Sequence, residues 1–197
     1  MTHGGAPLRI LVVSDLFPFP PTSGSAMRIH QLCRYLAREH RVTLVTLARP
    51  GQLQSVDELE ALGLEVIAVS WHQMKGVRRR RAQVRALLAG RPFRSAERLT
   101  PELRSAVREC LAREAFDIVQ VEGSAMMAAD LFLGVPVVLD EHNVESEVLR
   151  RQQLAERTVL RRRYQRLQTN KQERFEASVW RAPAAIAVTS EREVPAV

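Results

Sequence analysis

Residues 8–47 read LRILVVSDLFPFPPTSGSAMRIHQLCRYLAREHRVTLVTL, and this stretch decides the fold. Leu8 to Val13 is an apolar run of strand length. Ile29, Leu32, Cys33 and Leu36 follow at i, i+3, i+4 and i+7, the stripe of a helix packed along one face. Val42 to Leu47 is the next strand. A strand without a polar side is covered on both faces, so strand, helix, strand reads here as one unit of a parallel sheet.

The same alternation continues outward. Leu59 and Leu62 mark a short helix ended by Gly63, and Leu64 to Val69 is a third strand. A helical region spans about Gly76 to Ala89, with Val77, Val84, Leu87 and Leu88 on one side, and is broken by Gly90 and Pro92. Thr100, Pro101 and Glu102 supply a cap, a first-turn proline and an early acid for a helix running to about Arg113. Ile118 to Val121 is a strand, Ser124 to Phe132 a short helix, and Val135 to Leu139 a strand that begins with an edge proline. A long helix is expected over Val144 to Arg181, with Leu160, Tyr164, Leu167, Lys171 and Phe175 on its packed stripe. Ala184 to Val188 is the sixth strand. Right-handed crossovers then give an α/β fold: a doubly wound, mostly parallel Rossmann-like sheet with helices on both faces and strand order 3-2-1-4-5-6. The expectation is a single domain over residues 1–197.

Composition narrows the class. The chain has 197 residues, 46% apolar and 26% charged, ordinary values for a globular protein. Two cysteines, Cys33 and Cys110, exclude a disulfide scaffold and a four-cysteine zinc site. No run approaches the roughly 18 apolar residues of a membrane span, and Ile10 to Val13 is too short for a secretion signal. A cytoplasmic location is expected, with the possibility of peripheral attachment at the inner face of the membrane. The net charge is +7, and nearly all the cations are arginine. They concentrate in Arg78 to Arg81 and in Arg161 to Arg163, with Arg150, Arg151 and Arg157 nearby. A solvated helix face accounts for such runs, and so does a surface for anionic lipid headgroups. Aromatic residues do not interleave with the arginines, which argues against nucleic acid.

In this fold, ligands bind at the carboxyl ends of the strands, beside the switch point between the first and fourth strands. Three loops fall there: Asp15 to Ser25, Glu122-Gly123-Ser124, and Asp140-Glu141-His142-Asn143. The first lacks the G-x-G-x-x-G spacing of a dinucleotide site, since its only glycine is Gly24. Gly24 allows close backbone approach at a helix N-terminus, where free N–H groups attract phosphate. Arg28 opposes the helix dipole there unless an anion is present. Asn143 suits a helix N-cap, and Glu145 and Glu147 suit the first turn after it. His142 fits neither role and is placed to hydrogen-bond a substrate hydroxyl or take its proton. Asp140, Glu141, His142 and Glu145 lack a zinc-binding spacing, and neither a G-x-S-x-G elbow nor a Walker loop is present.

At these loops the sequence resembles family 4 glycosyltransferases. The resemblance is carried by Val12 to Asp15 with Pro20 to Arg28, by His40 to Thr46, by Asp140 to Glu147, and by Glu173 to Glu176 with Ala185 to Glu191. It implies one half of a GT-B fold, in which the first domain mostly binds the acceptor and the second binds a nucleotide-activated sugar. It implies retention of anomeric configuration, with a nucleotide-sugar donor as substrate, no cofactor and no metal. Carried over, Ser23, Gly24 and Ser25 lie against the donor, and His142 contacts the reacting sugar or acceptor as the catalytic residue. Glu122, Arg28, Asn143 and Glu145 join the binding set, the last two in mainly structural roles. The family often has two adjacent glycines where this chain has Gly24 and Ser25.

Family members are about twice this length by the same resemblance, so the C-terminal donor-binding domain is expected to be absent from residues 1–197. The chain alone is then expected to transfer little or no sugar, because half a cleft cannot preorganise two substrates. The expected partners are a nucleotide sugar, a glycan or lipid-linked acceptor, the missing C-terminal domain and an anionic membrane surface, with no nucleic acid. The alternative is a non-enzymatic Rossmann-like module that binds an anionic partner.

Overall fold

The computed structural model describes residues 6–88, 92–132 and 134–194. Its strands are β1 (Arg9–Ser14), β2 (Arg41–Ala48), β3 (Leu64–Ser70), β4 (Ile118–Glu122), β5 (Val137–Glu141) and β6 (Ala185–Val188). They form one sheet in the order β3-β2-β1-β4-β5-β6, and every neighbouring pair is parallel. The order reverses between β1 and β4, where crossovers leave in opposite directions and open a crevice at the strand ends.

The helices are α1 (Gly24–Leu36), α2 (Val56–Glu60), α3 (Gly76–Leu88), α4 (Phe93–Arg98), α5 (Pro101–Arg113), α6 (Glu145–Ala155) and α7 (Val159–Val179). Two caps follow the sequence directly. Ser23 Oγ accepts a hydrogen bond from the Ala26 amide at 3.2 Å, and Thr100 Oγ1 accepts one from Leu103 at 3.2 Å. Strand alternation divides the core in two. Ile10, Val12, Val42 and Leu44 meet Ile29 and Cys33 of α1 and Leu59 of α2 on one face. Leu11, Val13, Val45, Val119, Val121 and Leu139 meet Leu103, Val107 and Cys110 of α5, with Met126 and Phe132, on the other. Burial on both faces explains why β1 has no polar side.

Several elements differ from expectation. The long helix breaks at Glu156–Thr158 into α6 and α7, although neither glycine nor proline is present there. Thr158 and Val159 are β-branched and weak helix formers. The turn is secured because the Thr158 amide donates to Glu156 Oε1 at 3.0 Å and Arg162 Nη2 donates to the Glu156 carbonyl at 2.7 Å. The expected packed stripe of the long helix is open over its first half, where Leu160, Tyr164 and Leu167 are exposed; Lys171 and Phe175 are half-buried, and α7 buries Thr169, Gln172 and Glu176. Ser124 to Phe132 forms two 3-10 turns, Ser124–Met126 and Ala129–Leu131, rather than a helix. β5 starts two residues later than expected, after Pro136, so the proline precedes the strand instead of opening it. Asn143 is not the cap of α6; Val144 holds that position. The expected helix break at Gly90 and the side chains of Leu87 and Leu88 lie outside the described residues.

Candidate functional site

Strand periodicity assembles the site. Val119, Val121 and Leu139 point to the α5 side of the sheet, so Gln120, Glu122 and Asp140 point to the α1 side. Glu122 is directly opposite Asp140 in the register of β4 and β5. His142, the residue after β5, continues the same parity. Gly123 turns the chain out of β4 with φ +83° and ψ 145°, a conformation almost confined to glycine.

Four charged groups therefore meet at the crevice. Arg28 of α1 forks Asp140, with Nε to Oδ2 and Nη2 to Oδ1 both at 2.8 Å. The carboxylate of Asp140 is almost fully covered, whereas the guanidinium is part-exposed. His142 Nε2 lies 2.8 Å from Glu122 Oε2, and Gln120 Nε2 donates to Glu122 Oε1 at 2.6 Å. The Nε2–Oε2 contact is a close ion pair without the angles of a hydrogen bond, and the second imidazole nitrogen, Nδ1, is shielded and has no hydrogen-bond partner among the described residues. Burial alone pulls His142 toward neutrality, but the closeness and charge of Glu122, helped by Asp140, override it and raise the pKa. With His142 protonated, the two cations balance the two carboxylates.

Glu141 points to the opposite face. Its Oε1 accepts from the Ser124 amide at 3.3 Å and its Oε2 from Trp180 Nε1 at 3.1 Å. Burial pushes its carboxyl up to about 7, against the pull of those two donors.

These groups border an open cleft of about 590 Å³, whose lining includes Asp15, Ser25, Arg94, Glu122, Glu141, His142, Asn143 and Glu145. A second cleft of about 570 Å³ adjoins it and includes Ser23, Arg49, Gln52 and Trp71. Asp15, Leu16 and Arg98 border both. Arg98 Nε lies 3.7 Å from Asp15 Oδ2, and its guanidinium stacks 4.2 Å from the centroid of Trp71. Arg94 pairs with Glu145 across the cleft floor.

Of the residues singled out from sequence, Ser25, Glu122, His142, Asn143 and Glu145 line the first cleft and Ser23 the second. Gly24 and Arg28 line neither. A Cβ on Gly24 would meet no protein atom, so the fold itself does not require glycine there. Arg28 was expected to face an external anion and is instead held by Asp140. Asp140 and Glu141 are strand residues rather than loop residues. Arg94 and Arg98 went unrecognised because α4 is six residues long, too short to display a period. Asp15 and Gln120 were also missed; only alternation along β4 could have flagged Gln120.

The ligand atoms of Glu122, Asp140 and His142 all lie within 4.8 Å of one another, close enough for one divalent cation. Both oxygens of Asp140 are engaged by Arg28, and one of Glu122 by Gln120, so a cation there would have to displace existing partners.

Comparison with known proteins supplies the family. The model of Glycosyltransferase Family 4 matches residues 22–194. Among solved structures, the chain is similar to the glycotransferase of kitacinnamycin at 16% identity, over 91% of this chain and 42% of that one, with a TM-score of 0.45. It is also similar to Arabidopsis thaliana UGT89C1 complexed with UDP, at 16% identity, over 93% and 43% respectively, with a TM-score of 0.48. The chain thus spans less than half the length of either structure. No curated protein sequence matches it. The family match covers most of the chain, and the chain belongs to glycosyltransferase family 4.

Proposed function

We propose that this chain forms the acceptor-side wall of a glycosyltransferase that moves a sugar from a nucleotide-sugar donor to a glycan or lipid-linked acceptor with retention of configuration. The observation that carries the proposal is the His142–Glu122 pair at the switch point of a family 4 domain. In this reading Glu122 holds the imidazole at Nε2 and favours its charged form. The ring borders the open cleft, and Nδ1, the nitrogen away from Glu122, is the one left for a sugar hydroxyl or a phosphate oxygen. A charged imidazole donates hydrogen bonds through both nitrogens. It therefore favours stabilising an oxygen that gains negative charge over removing a proton.

The remaining residues divide by position. Ser25, Asn143 and Glu145 border the His142 cleft, where the sugar would lie. Ser23 and Gly24 start α1, whose free N–H groups suit a diphosphate. Arg28 contributes through Asp140, fixing the end of β5. We further propose that no metal takes part, because Arg28 already supplies positive charge to the Glu122, Asp140 and His142 cluster. Chelator-resistant transfer would support this, and restoration of a chelator-treated enzyme by a divalent cation would refute it. The 197-residue chain by itself is expected to transfer little sugar, since one wall cannot orient both substrates.

A cytoplasmic position follows from the donor, a nucleotide-activated sugar. No helix among the described residues is long and apolar enough to cross a membrane. Attachment to an anionic membrane belongs to the same proposal, with the basic helix α3 (Gly76–Leu88) as its first candidate.

The test is transfer of labelled sugar from a panel of nucleotide sugars to a lipid and glycan extract by the complete enzyme. His142→Ala should lower kcat/KM at least ~100-fold, within the usual range for an electrostatic contact to a developing charge. Glu122→Gln should lower it less and shift the pH profile. Wild-type rates in His142→Ala would refute the assignment. Saturable binding of an anionic ligand without turnover would favour a stand-alone binding module.

A further inference from the structure

Net charge is very unevenly distributed along this chain. Between Val148 and Gln172 there are seven arginines and one lysine, against Glu156 as the sole acid. That segment carries +7, the net charge of the whole chain, and the remaining residues sum to zero. It forms the end of α6, the turn at Glu156–Thr158 and the first half of α7.

The same segment exposes apolar side chains. Leu154 is 76% exposed, Val159 65% and Leu160 77%, and Tyr164 and Leu167 are also open. A solvated helix face has no use for adjoining leucines at its end. The arginines are also misplaced for an isolated helix, because Arg161, Arg162 and Arg163 occupy the first turns of α7, where the dipole disfavours cations. Both oddities disappear if the tip meets a surface that is anionic outside and apolar within.

We infer that the α6–α7 hairpin is a membrane-docking element that inserts Leu154, Val159 and Leu160 into an anionic bilayer while the flanking arginines hold lipid phosphates. This deepens the membrane part of the proposed function and rests on it. The two arms of the hairpin are tied to each other by Arg150 with Glu173 and by the Ser146 amide, which donates to Glu176 Oε1 at 3.2 Å. α6 begins at Glu145, in the cleft wall, and its 11 residues extend roughly 16 Å to the tip. A docked tip would therefore keep the cleft within reach of a lipid-linked acceptor. A nucleic-acid phosphate backbone would use the arginines but leave the exposed leucines unexplained.

The test is co-sedimentation of the 197-residue chain with vesicles of equal parts phosphatidylcholine and phosphatidylglycerol, and with phosphatidylcholine alone. Three variants are compared: Leu154→Glu with Leu160→Glu, Arg161→Glu with Arg163→Glu, and Val77→Glu with Val84→Glu on α3. All six side chains are exposed, so circular dichroism should match the wild type. We expect salt-sensitive binding to the anionic vesicles and much weaker binding to the neutral ones. Each basic side chain near an anionic surface is worth roughly fivefold, so the arginine variant should bind at least ~20-fold more weakly, and the leucine variant comparably. Unchanged binding by both hairpin variants, with loss in the α3 variant, would overturn the hairpin and leave membrane attachment standing. No vesicle binding by the wild type would overturn both. Tighter binding to a homopolymer RNA than to vesicles, insensitive to Leu154→Glu, would replace the lipid by nucleic acid. Concentration-dependent dimers lost in the leucine variant, without vesicle binding, would assign the patch to a second copy.

Discussion

Replacing Glu141 by glutamine should flatten the pH dependence of stability. Burial raises this carboxyl from about 4.5 to about 7. Between those values the native chain holds a proton that the unfolded chain has released. Stability therefore falls as pH rises through the window, and the contribution is fully present only below about 4.5. The shift corresponds to about 3 kcal/mol between the two ends, at roughly 1.4 kcal/mol per unit. Glu141→Gln removes this titration. It also sets an amide NH2 against one of two fixed donors, Trp180 Nε1 or the Ser124 amide, at a pH-independent cost of about 1–2 kcal/mol. The two proteins should thus converge in stability, or cross, as pH rises. Urea denaturation from about pH 4.5 to 8 measures the slopes. Trp180 gives a second readout in a Trp71→Phe background, where emission should titrate near pH 7 and lose that transition in Glu141→Gln. His142 and Glu176 are also raised and leave a residual slope of the same sign, so the difference between the curves isolates Glu141. Parallel stability curves, or a Trp180 emission flat through neutrality in the parent, would show that Glu141 is not the titrating group.

Four further outcomes follow from the same geometry. Arg28→Ala strands the covered carboxylate of Asp140 and should cost about 2–3 kcal/mol by denaturant midpoint, the low end for a broken pair because the guanidinium is part-exposed. Arg28→Lys should recover only part of that, since an ammonium cannot fork both oxygens. Gly123→Ala should destabilise the chain by about 1–3 kcal/mol, read as a lowered Tm, because its backbone conformation strongly disfavours a Cβ. The loss of transfer in His142→Ala should be accompanied by a lowered Tm, because the covered carboxylate of Glu122 loses the imidazole and keeps only Gln120.

The strands and their order were legible because short, mostly apolar strands alternate with helical stripes, and six such strands joined by right-handed crossovers suit this order. The site was legible only in outline. β5 was expected to end at Leu139, since apolar patterning cannot follow a strand into Asp140 and Glu141. Those two residues then read as loop, and their opposite orientations were invisible. His142 and Glu122 stood out by type, but their pairing depends on the β4–β5 register, which no local pattern encodes. The break between α6 and α7 escaped because a carboxylate and an arginine secure it in place of glycine or proline. The exposed stripe of α7 has helical period, and period alone does not say which side faces water.

The tip of β5 works as a rivet through the molecule. Its consecutive acids are gripped from opposite sides, Asp140 by Arg28 of the α1 layer and Glu141 by Trp180 just beyond α7. His142 is the next residue. Any sliding of one helical layer over the other would pull on the same two peptide units and displace the imidazole. Whatever loads the outer end of α7 therefore has a mechanical route to the cleft that passes through one covalent neighbour.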